Sequence, residues 1–256
     1  MARRPPRYVG RPTSICGKRN VTRLPTSNEV TLCRGDLESG RMRDLYLAAI
    51  GDSDSGHALS DEQLSESLTS TLAGKPKGAG WWVFAYGSLL WNPLFPFAEA
   101  RPAMLRGLHR RFCLYSMASR GTPTAPGLVL ALDRGGACTG VAYRLPAPLA
   151  MDELHLLWRR EMVVGSYRPK WVRLKSGDRE IVALTFTVRH DHPQYAGKVP
   201  IDEQARVIAT ARGAFGSTLD YLERTRVALV THGIIDPYLE SLAERVSGIL
   251  NARPPL

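Results

Sequence analysis

The amino-acid sequence predicts an α+β fold, built on a mostly antiparallel β-sheet or small barrel with flanking and C-terminal helices. Short runs of aromatic and β-branched residues begin at Trp81 and indicate strands. The last quarter of the chain has helical periodicity, and strands and helices do not alternate as they do in βαβ units. With 256 residues, the chain is long enough to bury its core without disulfides or a metal.

The region before the strands divides into a tail and a helical segment. Residues 1–30 are polar and basic without periodicity, which predicts a disordered tail, and residues 31–80 are predicted to form a helical extension and linker. In order, this extension contains a helical pattern over Leu37–Ile50, a break at 51–56, a helical pattern over Leu59–Leu72 and a glycine-rich linker at 74–80.

The second of these helical patterns has a defined start and one apolar face. Ser60 and Gln63 have the spacing of a capping box. Leu64, Leu68 and Leu72 follow at intervals of four and therefore share one side of a helix. Because such a stripe is unfavourable in water, we expect this helix to pack on the domain that follows.

Residues 81–256 are predicted to form that main domain. Six strands are predicted, over Trp81–Tyr86, Met104–Ser116, Gly127–Leu132, Thr139–Leu145, Trp171–Lys175 and Ile181–Val188. Four helices are predicted, over Met151–Val163, Ile201–Phe215, Thr218–His232 and Pro237–Asn251. Asp202-Glu203 and Asp236-Pro237 suit the starts of the second and fourth helices.

The net charge of +10 is concentrated in the tail. Seven arginines and lysines and one glutamate give residues 1–30 a charge of +6, so the remaining 226 residues carry only +4. A nucleic-acid-binding protein carries its basic excess on a folded face. The charge distribution therefore argues against a nucleic-acid partner.

The cysteines indicate a reducing, cytoplasmic setting. Cys16, Cys33, Cys113 and Cys138 are scattered, with no C-x-x-C motif and no histidine at zinc spacing. No segment approaches the roughly 18 apolar residues of a membrane span, so no membrane association is predicted.

The N-terminus does not match a targeting sequence. It lacks the apolar centre of a secretory signal. Its arginine-rich start is similar to a transit peptide, but Pro5, Pro6 and Pro12 oppose the amphipathic helix that such peptides form. A disordered or mis-started tail is the better interpretation.

The segment Tyr86-Gly87-Ser88-Leu89-Leu90 follows directly on the apolar run Trp81–Ala85. A strand that ends in Gly-Ser gives the backbone freedom for a sharp turn whose free N–H groups face a ligand. The same pattern also marks ordinary turns. It therefore predicts either a small pocket for an anion or carbonyl, or only a change of chain direction.

Glu161 is the most informative carboxylate. Leu154, Leu157 and Trp158 precede it by seven, four and three residues, so Glu161 points where the apolar residues point. Desolvation there raises the pKa of a carboxylate towards the value that a general base needs. The pattern alone leaves two interpretations open, a general base or a buried ion pair with an arginine, namely Arg144, Arg160 or Arg168.

Arg120 and the two acids that begin the Glu161 helix are further candidates. Arg120 precedes Gly-Thr-Pro and is either a bidentate ligand for a substrate carboxylate or a solvated surface residue. Asp152 and Glu153 suit the N-terminal end of the helix dipole and are interpreted as capping residues, with a second carboxylate near the site as the alternative.

Other catalytic and cofactor sites are not indicated. Ser88 lacks the G-x-S-x-G context of a serine hydrolase. His190 and His192 have no further ligands at zinc spacing, so no metal is predicted. The chain has no Walker or dinucleotide motif, and no cofactor is predicted.

Several short motifs occur together with the Tyr86–Leu90 segment. In chain order they are Arg110-Arg111-Phe112, Arg120-Gly121-Thr122-Pro123, the run Pro126–Leu132, the run Gly140–Arg144, Arg160-Glu161-Met162 and Gly165-Ser166-Tyr167-Arg168. In this order and at these intervals, over residues 80 to 250, the set resembles the ChaC family of γ-glutamylcyclotransferases.

The resemblance implies the barrel-centred γ-glutamylcyclotransferase-like fold and a lyase that needs no cofactor. Its substrate is glutathione, which is split into 5-oxoproline and cysteinylglycine when the substrate's own α-amine attacks the γ-carbonyl. It implies that Glu161 is the general acid/base. The substrate-binding residues are then predicted to be Tyr86, Gly87, Ser88, Leu89, Arg120, Tyr143 and Tyr167, with the three tyrosines either donating hydroxyls or serving as ordinary core aromatics.

One departure from the family pattern bears on the substrate. Glutathione-specific eukaryotic members carry a shorter Arg-Glu-x-Gly-Gly-Tyr segment, whereas five residues separate Glu161 from Tyr167 here. The chain is therefore nearer the bacterial branch. Two alternatives remain, a cyclotransferase for other γ-glutamyl amides and a non-catalytic module that binds a γ-glutamyl ligand or a partner protein, and the oligomeric state stays open.

Overall fold

The computed structural model describes residues 32–51 and 58–252. The strands are β1 (Trp82–Ala85), β2 (Glu99–Ser116), β3 (Gly127–Arg144), β4 (Tyr167–Ser176), β5 (Arg179–Val188), β6 (Arg212–Gly213) and β7 (Gly216–Ser217). The helices are α1 (Arg34–Glu38), α2 (Arg41–Ile50), α3 (Asp61–Ala73), α4 (Ala150–Glu161), α5 (Ile201–Thr210), α6 (Thr218–Thr231) and α7 (Pro237–Asn251). The predicted tail at residues 1–30 lies outside the described residues.

Five strands close into a barrel in the order β1-β3-β2-β4-β5. The pairs β1–β3, β2–β3, β2–β4 and β4–β5 are antiparallel. The barrel is closed by parallel contacts of β5 with β1, at Val83 and Leu184, and with β3, at Leu132 and Thr187. The predicted α+β class with a mostly antiparallel barrel is confirmed.

The core lies inside the barrel and beneath the helices around it. Phe84, Phe112 and Phe186 are among its largest fully buried side chains, and each comes from a different strand. Helices α5 and α6 pack on β3, and α7 packs on α5. Trp158 of α4 meets Phe186 edge to face at 5.4 Å, so α4 is fixed directly against the barrel.

Strands β2 and β3 form one long hairpin of 18 residues each. The prediction of separate strands at Gly127–Leu132 and Thr139–Leu145 was therefore wrong. Gly107, Gly135 and Gly136 adopt positive φ, and the register shifts between Arg106 and Leu108. These glycines accommodate an irregularity in a continuous ladder, which a sequence pattern treats as a break.

Two helix predictions also need correction. The helix expected over Leu37–Ile50 is two helices, because Gly40 takes a left-handed conformation with φ of 79° between them. The helix expected over Ile201–Phe215 ends at Thr210. The chain then forms the short β6–β7 hairpin, in which Gly213 approaches so closely that a Cβ there would lie 2.5 Å from the Ala118 carbonyl.

Helix α3 begins as predicted and packs on the main domain as predicted. The Ser60 hydroxyl accepts from the Gln63 N–H at 3.2 Å, and the Gln63 side chain accepts from the Ser60 N–H at 2.8 Å. Leu64 and Leu68 are buried in the same apolar core as the barrel. The division of the chain near residue 80 stays a prediction, since this core runs across it.

Within the described ranges, no helix combines the length and the apolar character that crossing a membrane requires.

Candidate active site

A cavity of about 190 Å³ lies at the end of the barrel where β1 and β2 end and where β3 and β4 begin. Its walls come from the turn after β1, the loop after β2, the end of α4, helix α6 and the N-terminal segment before α3. Residues far apart in the sequence therefore meet around one cavity.

Glu161 borders this cavity from the last position of α4. Leu154, Leu157 and Trp158 are buried on the same face, as the spacing predicts, and the Glu161 side chain is only 13 % exposed. Burial raises the pKa of Glu161, and the neighbouring Arg160 guanidinium opposes that shift.

The interaction of Glu161 with Arg160 is close but poorly aligned. Nε of Arg160 lies 3.0 Å from Oε1 of Glu161, within ion-pair distance. Among the described residues, however, no donor makes an aligned hydrogen bond to this buried Oε1 atom. The two interpretations of Glu161 are thus compatible, because the carboxylate is paired with one arginine and still has capacity to accept a proton. The other two arginines are excluded as partners, since Arg144 pairs with Glu99 and Arg168 is exposed.

Arg160 connects Glu161 to the turn after β1. Its Nη2 donates to the Ser88 hydroxyl at 3.1 Å, and its Nη1 donates to the Asn92 carbonyl. Burial lowers the pKa of Arg160, while Glu161 favours its charged form. The guanidinium therefore holds the carboxylate and the Ser88 turn at the same side of the cavity.

The turn after β1 is a short 3-10 helix over Ser88–Leu90. The N–H groups of Ser88 and Leu89 come before the first hydrogen bond of this helix, which runs from the Leu90 N–H to the Gly87 carbonyl. Ser88 borders the cavity, whereas Gly87 and Leu89 do not contribute to its surface. A Cβ on Gly87 would lie 2.7 Å from the Tyr221 hydroxyl, so the turn requires glycine at this position.

The three predicted tyrosines divide into two groups. The Tyr86 hydroxyl donates to the Phe186 carbonyl at 2.8 Å and the Tyr143 hydroxyl donates to the Leu90 carbonyl at 3.3 Å. Neither side chain borders the cavity, so both fit the alternative of core aromatics. Tyr167 does border it, with its hydroxyl donating to the Leu130 carbonyl at 3.2 Å.

Arg120 is a buried wall of the cavity and not a solvated loop residue. Its Nη1 donates to Oδ2 of Asp220 and to the Ser217 carbonyl, both at 3.2 Å. Its Cζ lies 5.6 Å from the ring centroid of Trp91 and 5.5 Å from that of Tyr221. These contacts hold the planar guanidinium at the wall of the cavity.

Sequence reasoning missed the contribution of α6. Tyr221 and Arg224 both border the cavity, and Nε of Arg224 donates to Oδ1 of Asp220 at 2.9 Å. Burial raises the pKa of Tyr221 to about 12, so its hydroxyl stays protonated at neutral pH. The spacing of Asp220 and Arg224 predicts an ion pair on a helix, but nothing in it indicates that this helix faces the β1 turn.

The N-terminal segment was also missed as part of the site. Leu32, Met42 and Tyr46 border the cavity. The segment is tied to α4 by Glu153, which is buried and accepts from Arg34 at 2.6 and 3.0 Å. Glu153 lies in the first turn of α4, as predicted, but the prediction that it caps the helix was wrong, because its carboxylate is used in this ion pair.

The histidine pair singled out in the sequence has structural partners. Nε2 of His190 lies 2.7 Å from Oδ1 of Asp133, and Nε2 of His192 lies 2.9 Å from the Val164 carbonyl. In the part of the chain that the structure describes, no three histidine, cysteine, aspartate or glutamate side chains come together as a metal site would require.

The cavity is electropositive. Arg120, Arg160 and Arg224 border it, and among the described residues Glu161 is the single carboxylate in its wall. Asp220 pairs with Arg120 and Arg224 from outside the cavity wall, so the three arginines together with Glu161 and Asp220 leave one net positive charge, which favours an anionic ligand. The arrangement is thus suited to acid–base chemistry on a small anion.

Comparisons with known proteins give one consistent result. The family described as ChaC-like protein matches residues 81–248. A glutathione-specific gamma-glutamylcyclotransferase from Escherichia coli (strain K12) is 42% identical over 192 residues, which is 75% of this chain and 83% of that protein. A mouse protein, glutathione-specific gamma-glutamylcyclotransferase 1, is 34% identical over 176 residues, 66% of this chain and 79% of its own.

A solved structure agrees with these sequence matches. The selenomethionine-labelled yeast gamma-glutamyl cyclotransferase specific to glutathione superimposes with a TM-score of 0.61 at 26% identity. The match covers 67% of this chain and 97% of the yeast chain. The barrel with its helices is therefore shared with that enzyme.

The contact of Gly87 with Tyr221 leads to a double-mutant prediction. Gly87→Ala should lower the midpoint of urea unfolding, because the new Cβ would lie 2.7 Å from the Tyr221 hydroxyl oxygen. Tyr221→Phe removes that oxygen, and Cζ then lies 3.9 Å from the Cβ position. We expect the double variant to regain part of the stability lost by Gly87→Ala. Strictly additive effects in the four proteins would contradict this packing.

Proposed function

Because the chain belongs to the ChaC-like protein family, we propose that it is a glutathione-specific γ-glutamylcyclotransferase, which converts glutathione into 5-oxoproline and cysteinylglycine. One observation carries the proposal. Among the described residues, no donor makes an aligned hydrogen bond to Oε1 of Glu161, and this buried carboxylate borders a cavity that three arginines also border. A pure binding site does not need such a group, whereas proton transfer does.

The reaction needs little from the protein besides position and proton transfer. In glutathione the α-amine and the γ-carbonyl belong to the same residue, so attack closes a five-membered ring without an external nucleophile. The new bond joins the α-nitrogen to the carbon of the γ-carbonyl group, and the amide bond to cysteine breaks. No water is consumed and no electrons are transferred.

In the proposed mechanism, Glu161 moves the proton. Its carboxylate takes a proton from the substrate's α-ammonium group, and the free amine attacks. The protonated Glu161 gives that proton to the departing nitrogen of cysteinylglycine. The restored carboxylate then takes the second proton, which the α-nitrogen loses on becoming the lactam N–H, and passes it to the released amine. A pKa raised by burial suits both steps, because it brings the acid and base forms closer in energy at neutral pH.

The remaining cavity residues are assigned to binding and charge stabilisation. Glutathione carries two carboxylates, and Arg120 and Arg224 supply the cationic side of the cavity for them. The Ser88 turn, which borders the cavity through Ser88, is assigned to the oxyanion that forms on the γ-carbonyl. Tyr167 and Tyr221 are assigned to contacts with the γ-glutamyl group, which leaves Tyr86 and Tyr143 as structural residues.

We propose that the enzyme acts in the cytoplasm, a compartment that supplies reduced glutathione. Cys33, Cys113 and Cys138 are free thiols, which agrees with a reducing environment.

The first test is the product of the reaction. Purified protein incubated with glutathione should release 5-oxoproline and cysteinylglycine in equal amounts, measured by mass spectrometry. N-Acetylation of the α-amine should abolish the reaction, because the blocked nitrogen cannot attack. Release of glutamate would contradict a cyclotransferase, and equal kcat/KM for γ-glutamyl-alanine would contradict specificity for glutathione.

The role of Glu161 is tested by Glu161→Gln. The amide keeps the shape of the side chain but cannot take the ammonium proton, so we expect kcat to fall by about 10² to 10⁴-fold. The matched control is Asp152→Asn, which neutralises an exposed carboxylate on the same helix and should keep full activity. Circular dichroism should be unchanged for both. Global unfolding of Glu161→Gln would instead favour a purely structural ion pair.

The pH profile provides a separate test of the same assignment. Activity should fall as pH decreases through the pKa of Glu161, at a pH above about 4.3, the ordinary glutamate value. Arg160→Gln removes the cation that opposes the upward shift, so the acid limb of kcat/KM should move to higher pH. Arg168→Gln, at an exposed position, should leave the limb in place. If the acid limb of kcat/KM stayed at the same pH in Arg160→Gln, a group other than Glu161 would be responsible for it.

A further inference from the structure

The N-terminal segment supplies an apolar wall to the cavity. Met42 of α2 is buried and belongs to a cluster with Leu37, Val163, Val164 and Phe215. Met42, Val163, Val164 and Phe215 all border the cavity. The wall therefore begins two residues beyond Glu161 and continues onto α2.

This wall differs in chemistry from the rest of the cavity. The side formed by Arg120, Arg160 and Arg224 is cationic. The side formed by Leu32 and Met42 carries no charge and includes a polarisable thioether. The cationic side matches the charged ends of a ligand, and the uncharged side matches an apolar group between those ends.

Several contacts hold the segment in place as part of the folded domain. Arg34 makes a two-point ion pair with Glu153, which is only 3 % exposed, and also donates to the Leu94 carbonyl at 3.2 Å. The Leu32 carbonyl accepts from the Asn92 side chain at 3.5 Å. The wall is thereby positioned from both α4 and the chain that follows the Ser88 turn.

We propose that Met42, with Leu32 beside it, is a specificity-determining residue that contacts the thiol-bearing side chain of the substrate's cysteine. The inference rests on the proposed function, since it assigns one wall of that cavity to the leaving group. The cysteine side chain is the part of glutathione that carries neither a charge nor a strong hydrogen-bonding group. The segment lies outside the stretch that matches the family model, residues 81–248.

The test compares two substrates that differ in one atom. Glutathione and its analogue with serine in place of cysteine present a thiol or a hydroxyl to the same wall. For the whole chain we expect kcat/KM to favour glutathione by about tenfold or more, because the Leu32 and Met42 side chains offer a hydroxyl no strong hydrogen-bond partner.

Met42→Gln keeps the length of the side chain and places an amide in the wall. We expect this variant to reduce the preference for the thiol by about fivefold, whereas Met42→Leu should retain it. Met151→Ala, which removes an exposed methionine on α4, is the matched control and should change neither substrate. If Met42→Gln does not fold, Leu32→Gln tests the same wall from a position before α1.

The outcomes separate the inference from the function on which it rests. No 5-oxoproline from either substrate would overturn the proposed function. Turnover of glutathione with no preference over the serine analogue would overturn the inference alone. An unchanged ratio in Met42→Gln and Leu32→Gln, with both substrates slowed equally, would also overturn it, since that result describes a structural role.

Discussion

A carboxylate enclosed at the end of α4, beside a single arginine, imposes the main constraint on this structure. Moving an ionised carboxylate out of water is costly, and a neighbouring cation offsets that cost only in part. Arg160 must therefore be fixed as firmly as Glu161, and its contacts with Ser88 and the Asn92 carbonyl do this. The turn after β1 is therefore positioned by Arg160, which is itself required beside Glu161.

The elements that sequence predicts well are those defined by local chemistry. Helix α7 runs over Pro237–Asn251 as predicted, because Asp236 caps it by accepting from the N–H groups of Tyr238 and Leu239. The inward position of Glu161 follows from spacing within one helix. The ChaC resemblance, now confirmed by the family match, rests on ordered short motifs of the same local kind.

The features that sequence did not predict depend on contacts between distant residues. Spacing places Tyr143 in a strand but cannot tell whether its hydroxyl meets a ligand or the Leu90 carbonyl. Arg120 was ambiguous because its partner, Asp220, comes 100 residues later. Tyr221 carries no motif at all, and only the fold brings its hydroxyl against Gly87. Contacts between residues that are distant in the sequence decide each of these cases, and local sequence patterns do not reveal such contacts.

The strand order of the barrel has a consequence for synthesis on the ribosome. Strand β1 pairs with β3 and β5 and not with β2, the next strand to be made. The apolar residues of β1 thus leave the exit tunnel well before their partners exist, and the barrel closes only once β5 is complete at Val188. Leu37 and Met42 lack one of their packing partners for even longer, because Phe215 is translated after β5. These apolar segments therefore emerge from the ribosome before their partners, and they are the parts of the nascent chain that are exposed to chaperones.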